Sequence, residues 1–216
     1  MVSIMGLPPF IATLGSMMIS KGFGSIFTKA QSVTWPQSSQ PGGWFRNIFK
    51  INVAMAEGNI MIPTGFILLI VLAVVMSVVL NKTRAGRYIT ALGSNKEATR
   101  LSGVNVVKWE TLAFIFSGTF AGIAGVSYAA TYSTLLPGNG GGLELDAIAG
   151  VVIGGTSMSG GYGTIAGTLI GVFIMSVLKT GLPFIGLQNQ YQQFITGFVL
   201  IIAVFADVAN RKKKSK

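Results

Sequence analysis

Few side chains in this sequence could do acid–base, nucleophilic or metal chemistry. Among 216 residues there is no cysteine and no histidine, which removes thiol nucleophiles, disulfides and His or Cys metal sites. Six acids stand against sixteen bases. Glu144 and Asp146 open an apolar stretch just after the glycine-rich run 138–142, where carboxylates complement the positive end of a helix dipole. That structural role is the commoner one. The functional alternative is hydrogen bonding to a polar solute or an external partner, because ionisable groups at membrane depth are functional candidates. Asp207 stands beside the basic tail and reads as half of an interfacial ion pair. Glu97 has Lys96 next to it and Arg100 one turn on, which suits a local pair. The other candidate is a cluster of glycines and hydroxyls, Gly154, Gly155, Thr156, Ser157, Ser159, Gly160 and Gly161. Such residues break a helix, and irregular backbone at a membrane end is tolerated only facing protein or a water-filled cavity. Glu144, Asp146, Gly154, Gly155, Thr156 and Ser157 are therefore the candidate lining of a translocation path. No catalytic residue and no metal ligand is expected.

These groups must be positioned by membrane-spanning helices. Half the residues are hydrophobic and only 10% are charged, far from the roughly 25% charge of a soluble domain, and mean hydropathy is +0.64. About 20 apolar residues cross a bilayer core, and six stretches qualify: 6–27, 60–80, 111–132, 143–157, 163–178 and 191–206. The fold class expected is all-α, a polytopic transmembrane bundle of about six spans, with 1–216 as a single transmembrane domain. Two spans are short, so a broken or partly inserted helix is the alternative for 143–157. Pro8 and Pro9 suit the start of the first helix. Gly118, Gly122 and Gly125 recur at helical spacing, as do Gly163, Gly167 and Gly171, and Gly150 with Gly154. Small residues at that interval let helix backbones approach closely. The run 161–166 formally fits a dinucleotide fingerprint, but no strand–helix unit surrounds it, so the match carries no weight.

Between the second and third stretches lies a basic connector, 81–109. Lys82, Arg84, Arg87, Lys96, Arg100 and Lys108 stand in it against Glu97, an excess retained on the cytoplasmic side during insertion. A helix is expected over 88–101, stopped by Gly103. Counting spans from that anchor puts 132–142 and 180–190 outside and the basic tail 209–216 inside, where anionic lipid also suits it. The net charge of +10 is thus explained by orientation, and no nucleic acid is expected. Trp35 and Trp44 fall in the external segment 28–59 as interfacial anchors. Residues 1–5 lack the basic region of a secretory signal.

The stretches NKTRAGRYITALGSNKEATRLSGVNV at 81–106, ELDAIAGVVIGGTSMSGGYGTIAGTLIG at 144–171 and LPPFIATLG at 7–15 resemble the membrane permeases of bacterial ribose and galactoside type ABC importers, and the likeness runs along nearly all of the chain. It implies that 88–103 is the cytoplasmic ATPase-coupling segment, with Tyr88, Gly93, Asn95, Glu97, Ala98, Arg100, Ser102 and Gly103 on the family pattern. Ser94 and Thr99 depart from it, where the family reads Gly and Ala. The resemblance further implies an ABC ATPase subunit, a second permease copy or homologue, a periplasmic or lipid-anchored sugar-binding protein and a bacterial inner-membrane location. No cofactor is implied. Family permeases are longer, with the LPPFIATLG motif near their middle, so 1–216 reads as the carboxyl-terminal two-thirds, lacking amino-terminal spans. No Walker A motif occurs, so ATP hydrolysis is expected on a separate subunit and the chain is not expected to be an enzyme. The expected cargo is a monosaccharide. Two alternatives stand: an ABC permease for branched-chain amino acids or nucleosides, and a gradient-driven secondary transporter, which would need an intramembrane ion site.

Overall fold

The computed structural model describes residues 2–49, 51–55, 58–62 and 64–214. The side chains of Asp207 and of the tail bases, where an ion pair was expected, lie outside the described residues. In chain order the elements are α1 (Val2–Met5), α2 (Pro9–Thr28), β1 (Val33–Thr34), a 3-10 turn at Gly43–Phe45, α3 (Arg46–Phe49), β2 (Ile51–Met55), β3 (Gly58–Ile62), α4 (Thr64–Lys82), α5 (Arg84–Ser94), α6 (Lys96–Leu101), α7 (Val106–Thr131), β4 (Thr134–Leu135), α8 (Leu143–Ile153), α9 (Ile165–Phe184) and α10 (Asn189–Lys214). The architecture is predominantly helical, as expected. Two short antiparallel ladders, β1 with β4 and β2 with β3, were not foreseen; β1, β2 and β4 lie in segments read as connectors, while β3 takes residues 60–62 from the start of the expected span 60–80.

Among the described residues four helices are long and apolar enough to cross a membrane: α2, α4, α7 and α9. Of the other two expected spans, α8 has 11 residues, about 16 Å of helix against a hydrocarbon core of about 30 Å, because Gly154 and Gly155 end it early. The expected span 191–206 lies in α10, whose described apolar stretch is Gln190–Phe205. Four hydroxyls inside α2 are satisfied within the helix itself: those of Thr13, Ser16, Ser20 and Thr28 each donate to the carbonyl four residues back at 2.8–3.0 Å. That is how a serine or threonine is carried in hydrocarbon.

The chain divides into two compact units. One holds Met1–Leu72 and Asn105–Asn139. In it α1 and α3 pack on α7, β1 pairs with β4 through Val33 opposite Leu135 and Thr34 opposite Thr134, and Trp35 meets Phe45 edge-on at 5.9 Å. The other holds Ala73–Val104 and Gly140–Lys216. Its heart is the α8–α9 pair, with α10 laid against α8 and Ala149, Val152 and Met175 buried. Most large apolar side chains described on α2 and α4 are exposed, which fits helices whose neighbours are lipid or other chains.

Candidate functional site

The connector begins abruptly because Thr83 serves two helices. Its hydroxyl donates to the Val79 carbonyl at 2.6 Å, at the end of α4, and accepts from the Gly86 amide at 3.3 Å, at the start of α5. This is an N-cap. Gly86 is buried, and a Cβ built on it would lie 2.5 Å from the Leu80 Cα, so only glycine lets α5 cross the end of α4 so closely.

The single helix expected over 88–101 is two helices. Asn95 (φ −153°, ψ 103°) interrupts it, and its side-chain oxygen accepts from the Ala98 amide at 2.9 Å to start α6. Asparagine is among the best N-cap residues, so the sequence carried a signal for this break inside the expected helix. Thr99 is buried, donating to the Asn95 carbonyl at 2.8 Å. The stop at Gly103 is as expected: φ is +81°, and the Gly103 and Val104 amides donate to the Arg100 and Thr99 carbonyls at 3.0 and 3.4 Å, the Schellman pattern that favours glycine. Glu97, Ala98, Arg100, Ser102 and Gly103 form an exposed edge with Leu101, which is 77% exposed. Arg100 donates to both Glu97 oxygens, at 2.6 and 3.1 Å. The hydrogen bond first, and the charge second, hold the Glu97 carboxyl below its ordinary range and raise Arg100. Both groups are fully exposed, so the pair orders the edge more than it stabilises the fold.

The far end of α5 meets the 157–162 turn, backbone against backbone. A Cβ built on Gly93 would lie 2.6 Å from the Gly161 nitrogen, one on Gly160 would lie 2.8 Å from the Gly93 oxygen, and one on Gly161 would lie 2.8 Å from the Ser94 Cα. No side chain separates the two segments. The turn is closed by its own bonds, Ser157 amide to Tyr162 carbonyl and Gly160 amide to Ser157 carbonyl, both 3.0 Å. Beside the contact opens a cleft of about 510 Å³ lined among others by Asn81, Arg87, Thr90, Ser94 and Tyr162.

Below the turn, α8 and α9 pack through the glycine interval seen in the sequence. Gly154 lies against the Gly167 carbonyl and Gly171 against the Gly150 carbonyl. Gly155 (φ +83°) closes α8, with the Gly155 and Thr156 amides donating to the Val152 and Val151 carbonyls at 2.9 and 3.1 Å. Thr156 and Thr168 hydroxyls are 3.4 Å apart, and Ser157 is buried. Close packing therefore occupies Gly154, Thr156 and Ser157 within this chain, while Gly155 is exposed. On α7, by contrast, Gly118, Gly122 and Gly125 face open space.

At the other end of α8 the two candidate acids part ways. Glu144 accepts from the Gly142 amide at 3.0 Å, the helix-start role expected of it. Asp146 instead receives the ammonium of Lys179 from α9. The sequence reading ended that span near Leu178, so it missed Lys179 as a partner; a lone cation following a long apolar run was the signal. Lys179→Met leaves a carboxylate only 16% exposed without its cation. The expected loss is roughly 1–3 kcal/mol, below the 3–5 of a fully buried pair because Lys179 is 45% exposed. Asp146→Asn added to Lys179→Met should recover part of it. A double variant whose thermal midpoint in detergent falls by the sum of the singles would show that the two side chains do not couple.

The two groups of residues anticipated from sequence thus behave differently. Tyr88 and Gly93 stand on α5 and the remaining coupling candidates follow at the Asn95 break and along α6 and its stop; of these, Gly93 lies against Gly160 and Gly161. Glu144 and Asp146 are held apart from 154–157 by the length of α8, so the structure does not gather the path candidates into one site.

The profile of a family described as "Branched-chain amino acid transport system / permease component" matches residues 1–204. The chain is 38% identical over 206 residues to the ribose import permease protein RbsC of Escherichia coli (strain K12), covering 94% of this chain and 61% of that one. It is 34% identical over 209 residues to RbsC of Bacillus subtilis (strain 168), covering 97% and 61%. To the galactose/methyl galactoside import permease protein MglC of Salmonella typhimurium it is 37% identical over 213 residues, covering 99% and 62%. The chain thus spans about three-fifths of the length of these curated relatives. No solved structure matches it.

Proposed function

The chain belongs to the family of branched-chain amino acid transport system permease components, and from that premise we propose that it forms part of the membrane pathway of an ATP-driven importer for a monosaccharide. The sugar reading is supported by the relatives named as ribose and galactose/methyl galactoside import permeases. ATP is hydrolysed on a separate subunit, an external binding protein delivers the solute, and a second permease copy or homologue completes the pathway in a bacterial inner membrane.

The observation that carries the mechanism is the backbone contact of Gly93 and Ser94 with Gly160 and Gly161. An ATPase docked on the exposed edge of α6 moves α5, and with no flexible side chain between them that motion passes to the turn and so to the α8–α9 pair. This is a rigid-body transition between two access states. The connector and the tail face the cytoplasm. With α8 supplying about half the depth of a crossing, 143–157 is taken as a broken or partly inserted helix.

The test is uptake of labelled ribose and galactose by proteoliposomes holding the permease, its ATPase and its binding protein. ATP-dependent sugar uptake is expected. Uptake of leucine or a nucleoside without sugar uptake would move the assignment to the alternative cargo, and uptake driven by an ion gradient without ATP would replace the importer class. In sealed vesicles, cysteines placed at Ser94 and Ser215 should label only from the cytoplasmic side; labelling of either from outside would overturn the orientation.

A further inference from the structure

A second cleft, of about 220 Å³, lies in the first unit among α1, α2 and α7. Four hydroxyls converge on it: Ser3 from α1, Thr13 and Ser16 from α2, and Thr111 from α7, with Phe114 and Ala12 as its apolar wall. Among the described residues no charged side chain lines it. Its size is below the ~300–1,000 Å³ of sites for drug-sized ligands and corresponds to roughly seven waters at about 30 Å³ each.

The hydrogen-bonding state of these hydroxyls decides what would fit. Thr13 and Ser16 spend their protons on helix carbonyls, Thr13 on Pro9 at 2.9 Å and Ser16 on Ala12 at 2.8 Å, which leaves their oxygens to accept. Ser3 and Thr111 are 2.7 Å apart, so one donates to the other and the second proton remains to give. The cleft therefore offers several acceptors and one donor beside the Phe114 ring, all of them neutral groups. An anion or a cation would lose its hydration there with no countercharge. A compact solute with several hydroxyls, each both donor and acceptor, and with a C–H face to lay on Phe114, meets every one of these groups.

We propose that this cleft is a subsite for a neutral, monosaccharide-sized polyol on its way through the permease. The proposal rests on the importer reading and names where the cargo is held. It is tested in the assembled importer, in a chain free of native cysteine. Thr13→Cys should react with a thiol reagent at a rate that ribose or galactose, at millimolar concentration, slows several-fold and leucine does not. Adding Thr111→Val or Phe114→Ala should abolish that protection, since one lost hydrogen bond or ring contact is worth up to about tenfold in affinity. A cysteine at Thr119, whose hydroxyl bonds the Ile115 carbonyl outside the cleft, reports folding: its labelling should ignore sugar and be the same in every variant. Slowing at position 13 by leucine and not by sugar would overturn the polyol as occupant. Equal labelling with and without sugar, while the wild-type importer takes up sugar, would overturn the cleft as a subsite and leave the function standing. Absence of sugar uptake in the wild type would instead sink the importer reading beneath it.

Discussion

Valine at Gly154 or Gly171 is expected to cost this protein more than ~3 kcal/mol, the upper end of the usual overpacking range, and to remove it from the membrane. At Gly171 a Cβ would run into the Gly150 carbonyl, and at Gly154 into the Gly167 carbonyl. Both obstacles are backbone, which cannot swing aside as a side chain can. Because α8 and α9 are the most closely joined pair in their unit, separating them by a methyl group or more removes the dispersion contacts that hold helices together where no hydrophobic drive acts between them. The contrast comes from α7, where Gly118→Ala and Gly122→Ala meet open space and should be neutral or stabilising by up to ~1 kcal/mol through helix propensity. Abundance and thermal midpoint in detergent are the measurements. A Gly171→Val protein as stable as the parent would refute the packing account.

The second large effect is on activity without loss of the protein. Gly93→Ala should leave insertion intact, since the change lies at the end of α5, yet place a methyl 2.6 Å from the Gly161 nitrogen and push the two segments apart. Gly161→Ala adds a left-handed strain to the same contact, at φ +80°, worth ~1–2 kcal/mol. If α5 drives the turn as proposed, uptake in reconstituted vesicles should fall by at least about tenfold, equivalent to 1.4 kcal/mol on the rate-limiting step, at abundance within about twofold of the parent. Gly22→Ala on α2, in open space, is the control and should transport normally. Normal uptake by Gly93→Ala, or uptake lost only in step with abundance, would remove support for transmission through this contact. Gly103→Val probes the neighbouring link. Its Schellman turn needs φ +81° but has no crowding, so any defect would come from misdirecting the α6 edge rather than from a clash.

Local signals explain what was legible beforehand. Composition made the chain a helical membrane protein, because continuous apolar runs of about 20 residues cross hydrocarbon as helices, which satisfy their own backbone groups. Charge placement marked the basic connector, Gly103 marked a helix end that only a left-handed residue closes well, and the four-residue glycine interval marked helix faces able to approach. The residue strings of the connector and of 144–171 carried the permease likeness. Each of these is a property of neighbours in sequence.

What the tertiary structure alone decided is which faces meet. The glycine interval occurs on α7, α8 and α9, yet only α8 and α9 use it on each other, since periodicity fixes a face and says nothing of its partner. Gly93 and Gly160, Asp146 and Lys179, and Ser3 and Thr111 are brought together by the crossing of helices far apart in the chain. The shortness of α8, by contrast, was the alternative the sequence offered for 143–157, since glycines at 154 and 155 break a helix; the fold adds the seating of Gly154 on α9. Sequence thus determined the kind of helix at each place, and packing determined which of them could move together.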